Sequence, residues 1–213
     1  MRRFSVSLAV TVAMAAVAVL SRAPAHAQAL GGAEVRGLWV VRTALTSAAS
    51  IARMVEGAEA AGFNTLLVQV RGRGDAYYQG GLEPRAEALA AAAPGFDPLA
   101  TTIAAARARG LRVLAWINVN LVASAQDLPL QPAHMVNRSP EWLMVPRALA
   151  QELSAASPDS PGFVGRIARW TRANSHVVEG LYASPAQPGA ADHIVSVAAD
   201  IARRYEIDGV HFD

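Results

Sequence analysis

The chain contains no cysteine and no lysine, and all 19 of its basic residues are arginine. The first absence excludes disulfides, thiolate metal sites, a cysteine nucleophile and a lipid-modified cysteine behind a leader. The second excludes Schiff-base and other lysine chemistry. Together with the abundant alanine, the arginine-only basic set reads as codon-usage bias rather than as a functional patch. A long membrane-spanning run is also missing. The main apolar stretch, about Phe4 to Leu20, is short of the roughly 20 residues that a spanning helix needs.

That stretch has another reading. Arg2 and Arg3 precede it, and Ala25-His26-Ala27 follows as a small-x-small cleavage site, the three-part layout of a secretory signal peptide. Residues 1–27 are therefore expected to be a signal peptide, 28–34 a short linker and 35–213 the folded part, secreted or periplasmic. The leader carries Arg2, Arg3 and Arg22 and no acid, so its removal takes the net charge from +2 to −1. A mature chain of that charge gives no support for a nucleic-acid partner, and none of its segments is expected to span a membrane.

Beyond the leader, apolar strand-like runs alternate with helical ones. Val35–Arg42, Asn64–Arg71, Leu111–Val119 and the run from Ile207 are expected strands. Ser47–Ala61, the segment opening at Asp97-Pro98 and ending at Gly110, and about Ala190–Tyr205 are expected helices. Gly62 suits a helix C-cap, and Asp97-Pro98 has the cap-then-proline pattern of a helix start. Such alternation predicts a parallel sheet covered by helices, an α/β fold of barrel type. The two long connections, Gly72–Phe96 and Asn120–Gly189, both leave carboxyl ends of strands, where barrel enzymes shape their sites. The longer is expected to hold local helices, for example around Pro161–Thr171. Apart from alanine richness there is no repeat or low-complexity tract.

Strand alternation then selects residues. His211 and Asp213 share a face at the end of the last strand, as do Gln69 and Arg71 on the second and Trp116, Asn118 and Asn120 on the third. Arg42 ends the first strand on the face of Leu38 and Val40. A mouth lined by Arg, Asn, Trp, His and Asp suits a polyhydroxylated ligand, with indole as the stacking face and amide and guanidinium groups as donors. Asp213 is the candidate catalytic group; pairing with Arg71 or Arg42 is its structural alternative. Arg42, Arg71, Asp75, Tyr78, Trp116, Asn118, Asn120 and His211 are candidate substrate contacts. Arg71 and Asp75, flanking Gly72 and Gly74, serve either a ligand or each other, and Tyr77 and Tyr78 either wall a sugar site or pack the loop. Asp208 reads as a turn residue. Glu141 is an acid to watch, or simply the start of a local helix after Pro140. No second histidine or carboxylate stands at ligand spacing from His211, so neither a metal nor a cofactor is expected.

Several blocks resemble one family. Glu34-Val35-Arg36-Gly37-Leu38-Trp39-Val40, Phe63 through Tyr78, Ala115-Trp116-Ile117-Asn118, Pro140-Glu141-Trp142-Leu143 and Tyr205 through Asp213 are similar to the glycosyl-hydrolase-like 10 family. The resemblance implies a bacterial envelope protein with a TIM-type (β/α)8 barrel, acting on peptidoglycan glycan strands stripped of peptides. It implies that Asp213 is a nucleophile or a transition-state stabiliser, or orients a substrate acetamido group in substrate-assisted cleavage. Family members continue past this aspartate with further strands, so a barrel truncated after its fourth strand is expected here. The alternatives are a non-catalytic glycan-binding barrel and an inactive fragment.

Overall fold

The structure is a computed structural model that describes residues 34–213. The expected signal peptide and the linker up to residue 33 lie outside the described residues. Four strands, β1 (Gly37–Val40), β2 (Thr65–Arg71), β3 (Arg112–Ile117) and a later β6 (Gly209–Phe212), form one parallel sheet in the order β1-β2-β3-β6. Helix α1 (Ala48–Ala60) follows β1, α2 (Pro98–Arg107) follows β2, and α6 (Pro188–Arg204) leads into β6. Among the described residues no helix is long and apolar enough to cross a membrane.

Local chemistry sets the helix boundaries. Ser47 accepts from the Ser50 N–H and Ser50 returns a bond to the Ser47 backbone, a capping box at the start of α1. Gly62, at φ +80°, turns the chain out of that helix where a side chain would be strained. Asp97 accepts from the Ala100 N–H at 3.0 Å, and Pro98 takes the first helical position, where no intrahelical N–H is needed. The other Asp97 carboxylate oxygen accepts the Tyr205 hydroxyl at 2.6 Å. The start of α2 is thereby tied to the end of α6.

The main core lies between the sheet and these helices. Leu66, Val68 and Val70 of β2 and Val113, Ala115 and Ile117 of β3 face Ile51 and Val55 of α1, Leu99 and Ala106 of α2, and Val197 and Ile201 of α6. Burial of these aliphatic side chains is the main stabilising term, roughly 1.5–3 kcal/mol for each one fully enclosed. The opposite face carries Trp39, Leu67, Leu114, Trp116 and His211, which no helix among the described residues covers. Register places Trp39 beside Leu67, and Gln69 beside Trp116 beside His211. Although β2 and β3 lie between them, Trp39 of β1 reaches His211 of β6, ring centroids 5.9 Å apart. That contact makes the uncovered face concave.

Between β3 and β6 the chain builds a second core. Strands β4 (Leu121–Ser124) and β5 (Gly180–Tyr182) pair antiparallel. The short helices α3 (Met135–Arg138) and α4 (Ala150–Leu153) and the longer α5 (Phe163–Ala173) complete the unit. Phe163, Ile167 and Thr171 recur at helical spacing on the buried side of α5, and the first two pack with Val122, Met135, Leu153 and Leu181. The expected local helix is thus present, but the antiparallel pair was not foreseen.

Candidate functional site

The carboxyl ends of the parallel strands bring together an open wall and a sealed network. In the wall, the Trp116 indole N–H donates to Asp213 Oδ2 at 3.0 Å, and the Trp39 indole N–H donates to His211 Nε2 at 3.4 Å. The second bond makes Nε2 an acceptor, which leaves the imidazole proton on Nδ1. His211 sits between the two indoles, edge-on to each, its ring centroid 5.9 Å from Trp39 and 6.4 Å from Trp116. Trp39 is 57% exposed and Asp213 is also exposed. The Trp116 bond orients the Asp213 carboxylate at Oδ2, and Oδ1 makes no hydrogen bond among the described residues.

Trp39 is the residue that strand alternation missed. It shares the concave face with Trp116 and His211, whereas Leu38 and Val40 face the helices. By parity alone Arg42 would follow Leu38 and Val40 away from the site. It reaches the site side because the strand ends at Val40 and a 3-10 turn, Arg42–Leu45, begins there. The Arg42 backbone N–H and Nη1 both donate to Gln69 Oε1 at 3.2 Å. Gln69 Nε2 in turn donates to Asn118 Oδ1 at 3.2 Å. Asn118 is buried and held by this chain of amides. A Cβ at Gly72 would lie 2.5 Å from Arg42 Cδ, so only glycine lets the guanidinium stem cross the loop.

Arg71 occupies a different environment from the one its spacing suggests. A bulge between Gln69 and Arg71 makes Arg71 the partner of Ile117 while Gln69 pairs with Trp116, which breaks the two-residue parity. The Arg71 side chain is 0% exposed. Its Nε and Nη2 grip the two Glu83 oxygens at 2.7 and 2.8 Å, the bidentate geometry that guanidinium favours. His193 of α6 contacts Glu83 Oε1 at 3.1 Å. Burial alone would raise the Glu83 pKa, but the Arg71 charge and the hydrogen bonds from His193 and Arg71 bring it down to about 2. Arg71 is therefore a wall-internal cation in this structure, not a group facing a ligand.

Three other candidates also lie outside the wall. Tyr78 is enclosed, edge-on to Tyr205 at 5.9 Å, and its phenol pKa is raised by burial first and by Glu83 second. Asn120 lies beyond the end of β3, where strand parity no longer applies, and its carbonyl accepts from the Ala183 N–H at 2.8 Å. Asp75 Oδ1 accepts the Arg73 N–H at 2.8 Å. With Arg42, Arg73, Tyr77, Arg85 and His134 it lines a cleft of about 480 Å³. His134 Nε2 bonds the Arg73 carbonyl at 2.9 Å while Nδ1 accepts from Val136 N–H at 3.3 Å. Burial is the main cause that lowers its pKa, and it stands as a neutral clasp for this loop. Asp208 has the turn role, Oδ2 accepting the Val113 N–H at 2.8 Å. Glu141 is exposed in a short 3-10 turn, Pro140–Trp142. Among the described residues no group of three His, Asp or Glu side chains is arranged to hold a metal ion.

Comparison with known proteins finds relatives named as glycosyl hydrolases. Glycosyl hydrolase YngK of Bacillus subtilis (strain 168) is 26% identical over 166 residues, 76% of this chain and 26% of that protein. Glycosyl hydrolase DigH of Escherichia coli (strain K12) is 28% identical over 156 residues, 71% of this chain and 30% of that protein. The chain thus spans less than a third of the length of either relative. A crystal structure of a hypothetical protein from Ruminiclostridium thermocellum ATCC 27405 superposes with a TM-score of 0.49 at 10% identity, covering 83% of this chain and 75% of that one. The family profile named glycosyl hydrolase-like 10 matches residues 34–213, all of the described region, and the chain belongs to that family.

Proposed function

We propose that this chain forms βα units of a TIM-type (β/α)8 barrel in an exported glycoside hydrolase acting on bacterial cell-wall glycan, the peptidoglycan strands. The observation that carries the reading is the wall itself: an exposed carboxylate, Asp213, pinned by Trp116 at a strand's carboxyl end beside a second open indole, Trp39. Indole faces suit the apolar faces of sugar rings, and a strand-end carboxylate is where barrel enzymes place their chemistry. In this reading Asp213 is the nucleophile or the stabiliser of the oxocarbenium-like transition state, its Oδ1 toward the sugar. Trp39, Trp116, His211, Arg42 and Asn118 contact or orient the glycan, with Asp75 in the adjoining cleft. Export rests on the leader pattern at residues 1–27. The concave parallel sheet, uncovered on its site face, supports the barrel.

The test is hydrolysis of purified peptide-free glycan strands by the full-length protein. Asp213→Asn is expected to lose activity by roughly 10²-fold or more, the range for removing one electrostatic stabiliser of a transition state, with the fold intact. Unchanged turnover removes Asp213 from the chemistry. The two open indoles also favour a second reading, a non-catalytic glycan-binding barrel. In that case Asp213→Asn and wild type would retain the glycan equally in a pull-down, and neither would cleave it.

A further inference from the structure

The position of Asp213 depends on atoms at the exit of β3. The Val119 N–H donates to the Asp213 carbonyl at 2.7 Å, and the Asp213 N–H donates to the Ile117 carbonyl at 3.0 Å. Those two bonds fix the backbone from which the carboxylate reaches the Trp116 indole. The exit of β3 is itself held from the far side. Arg71 Nη1 donates to the Asn118 carbonyl and, at 3.3 Å, to the Val119 carbonyl, while the Arg71 carbonyl accepts the Asn118 N–H at 3.1 Å. One guanidinium therefore grips the carbonyl of the peptide unit whose own N–H meets Asp213.

The guanidinium is fixed in turn. Its other two nitrogens are taken by Glu83, and Glu83 is also bonded by His193 on α6, the helix that leads into β6. The network thus spans β2, the loop after it, the exit of β3 and the helix before β6. A fork with every arm engaged has one orientation, which a point charge such as lysine would lack.

We propose that Arg71, aimed by Glu83 and His193, is the positioning residue for Asp213. It holds the Asn118–Val119 peptide so that the Asp213 carboxylate stays on the Trp116 indole. The proposal rests on the reading of Asp213 as the working carboxylate, and its test separates the two. A role in stability alone would leave the Trp116–Asp213 bond unchanged in any variant that folds.

The Trp116 indole N–H resonance reads that bond directly. Trp116→Phe assigns it in a ¹H–¹⁵N spectrum, and Asp213→Asn gives its position when the carboxylate is gone. The pair variant Arg71→Met with Glu83→Gln removes both buried charges together. Its Trp116 resonance is expected to move most of the way to the Asp213→Asn position. In the full-length protein kcat is expected to fall tenfold or more with KM within threefold. Tyr205→Phe, which removes a remote contact with Asp97, is expected to lower stability and leave the resonance in place. Should the pair variant not fold, Arg71→Lys is expected to shift the resonance in the same direction by a smaller amount. A folded variant at Arg71 with the wild-type Trp116 resonance overturns the proposal. If the resonance follows Arg71 while wild type and Asp213→Asn hydrolyse glycan equally or not at all, the functional reading fails and the positioning stands.

Discussion

Strand β2 ends in a charged residue and β6 is followed at once by another, and the two ends have opposite fates. Asp213 stands exposed beside two indoles, one hydrogen bond from Trp116. Arg71 has a side chain that is 0% exposed and is bonded to Glu83 and to two backbone carbonyls. Among the described residues the Asp213 carboxylate makes one hydrogen bond, whereas every nitrogen of the Arg71 guanidinium is engaged. A bulge of one residue separates the two outcomes, because it turns Arg71 from the side of Gln69 to that of Ile117. A strand-end position marks a place where chemistry is built, but the hydrogen bonds already present decide whether a residue there serves the ligand or the frame.

The largest expected effect comes from breaking the sealed end. Glu83→Ala would strand the Arg71 cation in the interior, a change that costs about 3–5 kcal/mol of unfolding free energy. Asp213→Asn removes an exposed charge and is expected to stay within about 0.5 kcal/mol of wild type. Urea unfolding of the two variants side by side checks the contrast. Equal losses would mean that Arg71 finds another anion or that Asp213 carries unrecognised structural weight.

Acid sharpens the same contrast with a smaller effect. The Glu83 pKa is depressed from the ordinary 4.5 to about 2. A depressed carboxylate contributes stability that is fully present above the unfolded value and is lost as pH falls through the folded one. The window therefore runs from about pH 4.5 down to about pH 2, and the contribution is on the order of 3 kcal/mol at 1.36 kcal/mol per pH unit. The difference in unfolding free energy between wild type and Glu83→Gln is expected to shrink across that window. A constant difference would show that Glu83 does not titrate with the Arg71 pair.

The parts of this molecule that were legible in the sequence are those set by local chemistry. Ser47, Gly62, Asp97 and Pro98 mark the helix ends within a residue or two of where they fall, because each satisfies or forbids a specific backbone conformation. The four parallel strands were readable as apolar runs because the main core buries one face of each. The insertion between β3 and β6 was not. Its strands have four and three residues, too short for an alternating pattern, and each finds its partner only after several helical turns intervene. In the site, parity places Trp116, His211 and Asp213 on one face, and it misleads where a strand stops or slips. Arg42 is re-aimed by the turn after Val40, Arg71 by the bulge, and Asn120 by the bend after Ile117. Trp39 went unnoticed because β1 is apolar on both faces. The signal was available in Leu38 and Val40, whose aliphatic pair belongs against the helices and leaves Trp39 for the other side.

The smallest expected effect tests whether the open wall is as independent of the fold as its exposure suggests. Trp39 contributes one edge-on ring contact with His211 and one long hydrogen bond, while more than half of its surface is already in water. An aromatic pair of this kind is worth about 0.5–1.5 kcal/mol beyond its area. Trp39→Ala is therefore expected to cost about 1 kcal/mol in thermal or urea unfolding, well below Glu83→Ala. Its effect should fall on glycan retention instead, measured by affinity electrophoresis on the same glycan. A large loss of stability with retention unchanged would place Trp39 with Arg71 in the frame and reduce the open wall to Trp116, His211 and Asp213. A small loss with weakened retention would keep the two strand ends apart, one built to hold the sheet together and the other left unsatisfied for a sugar.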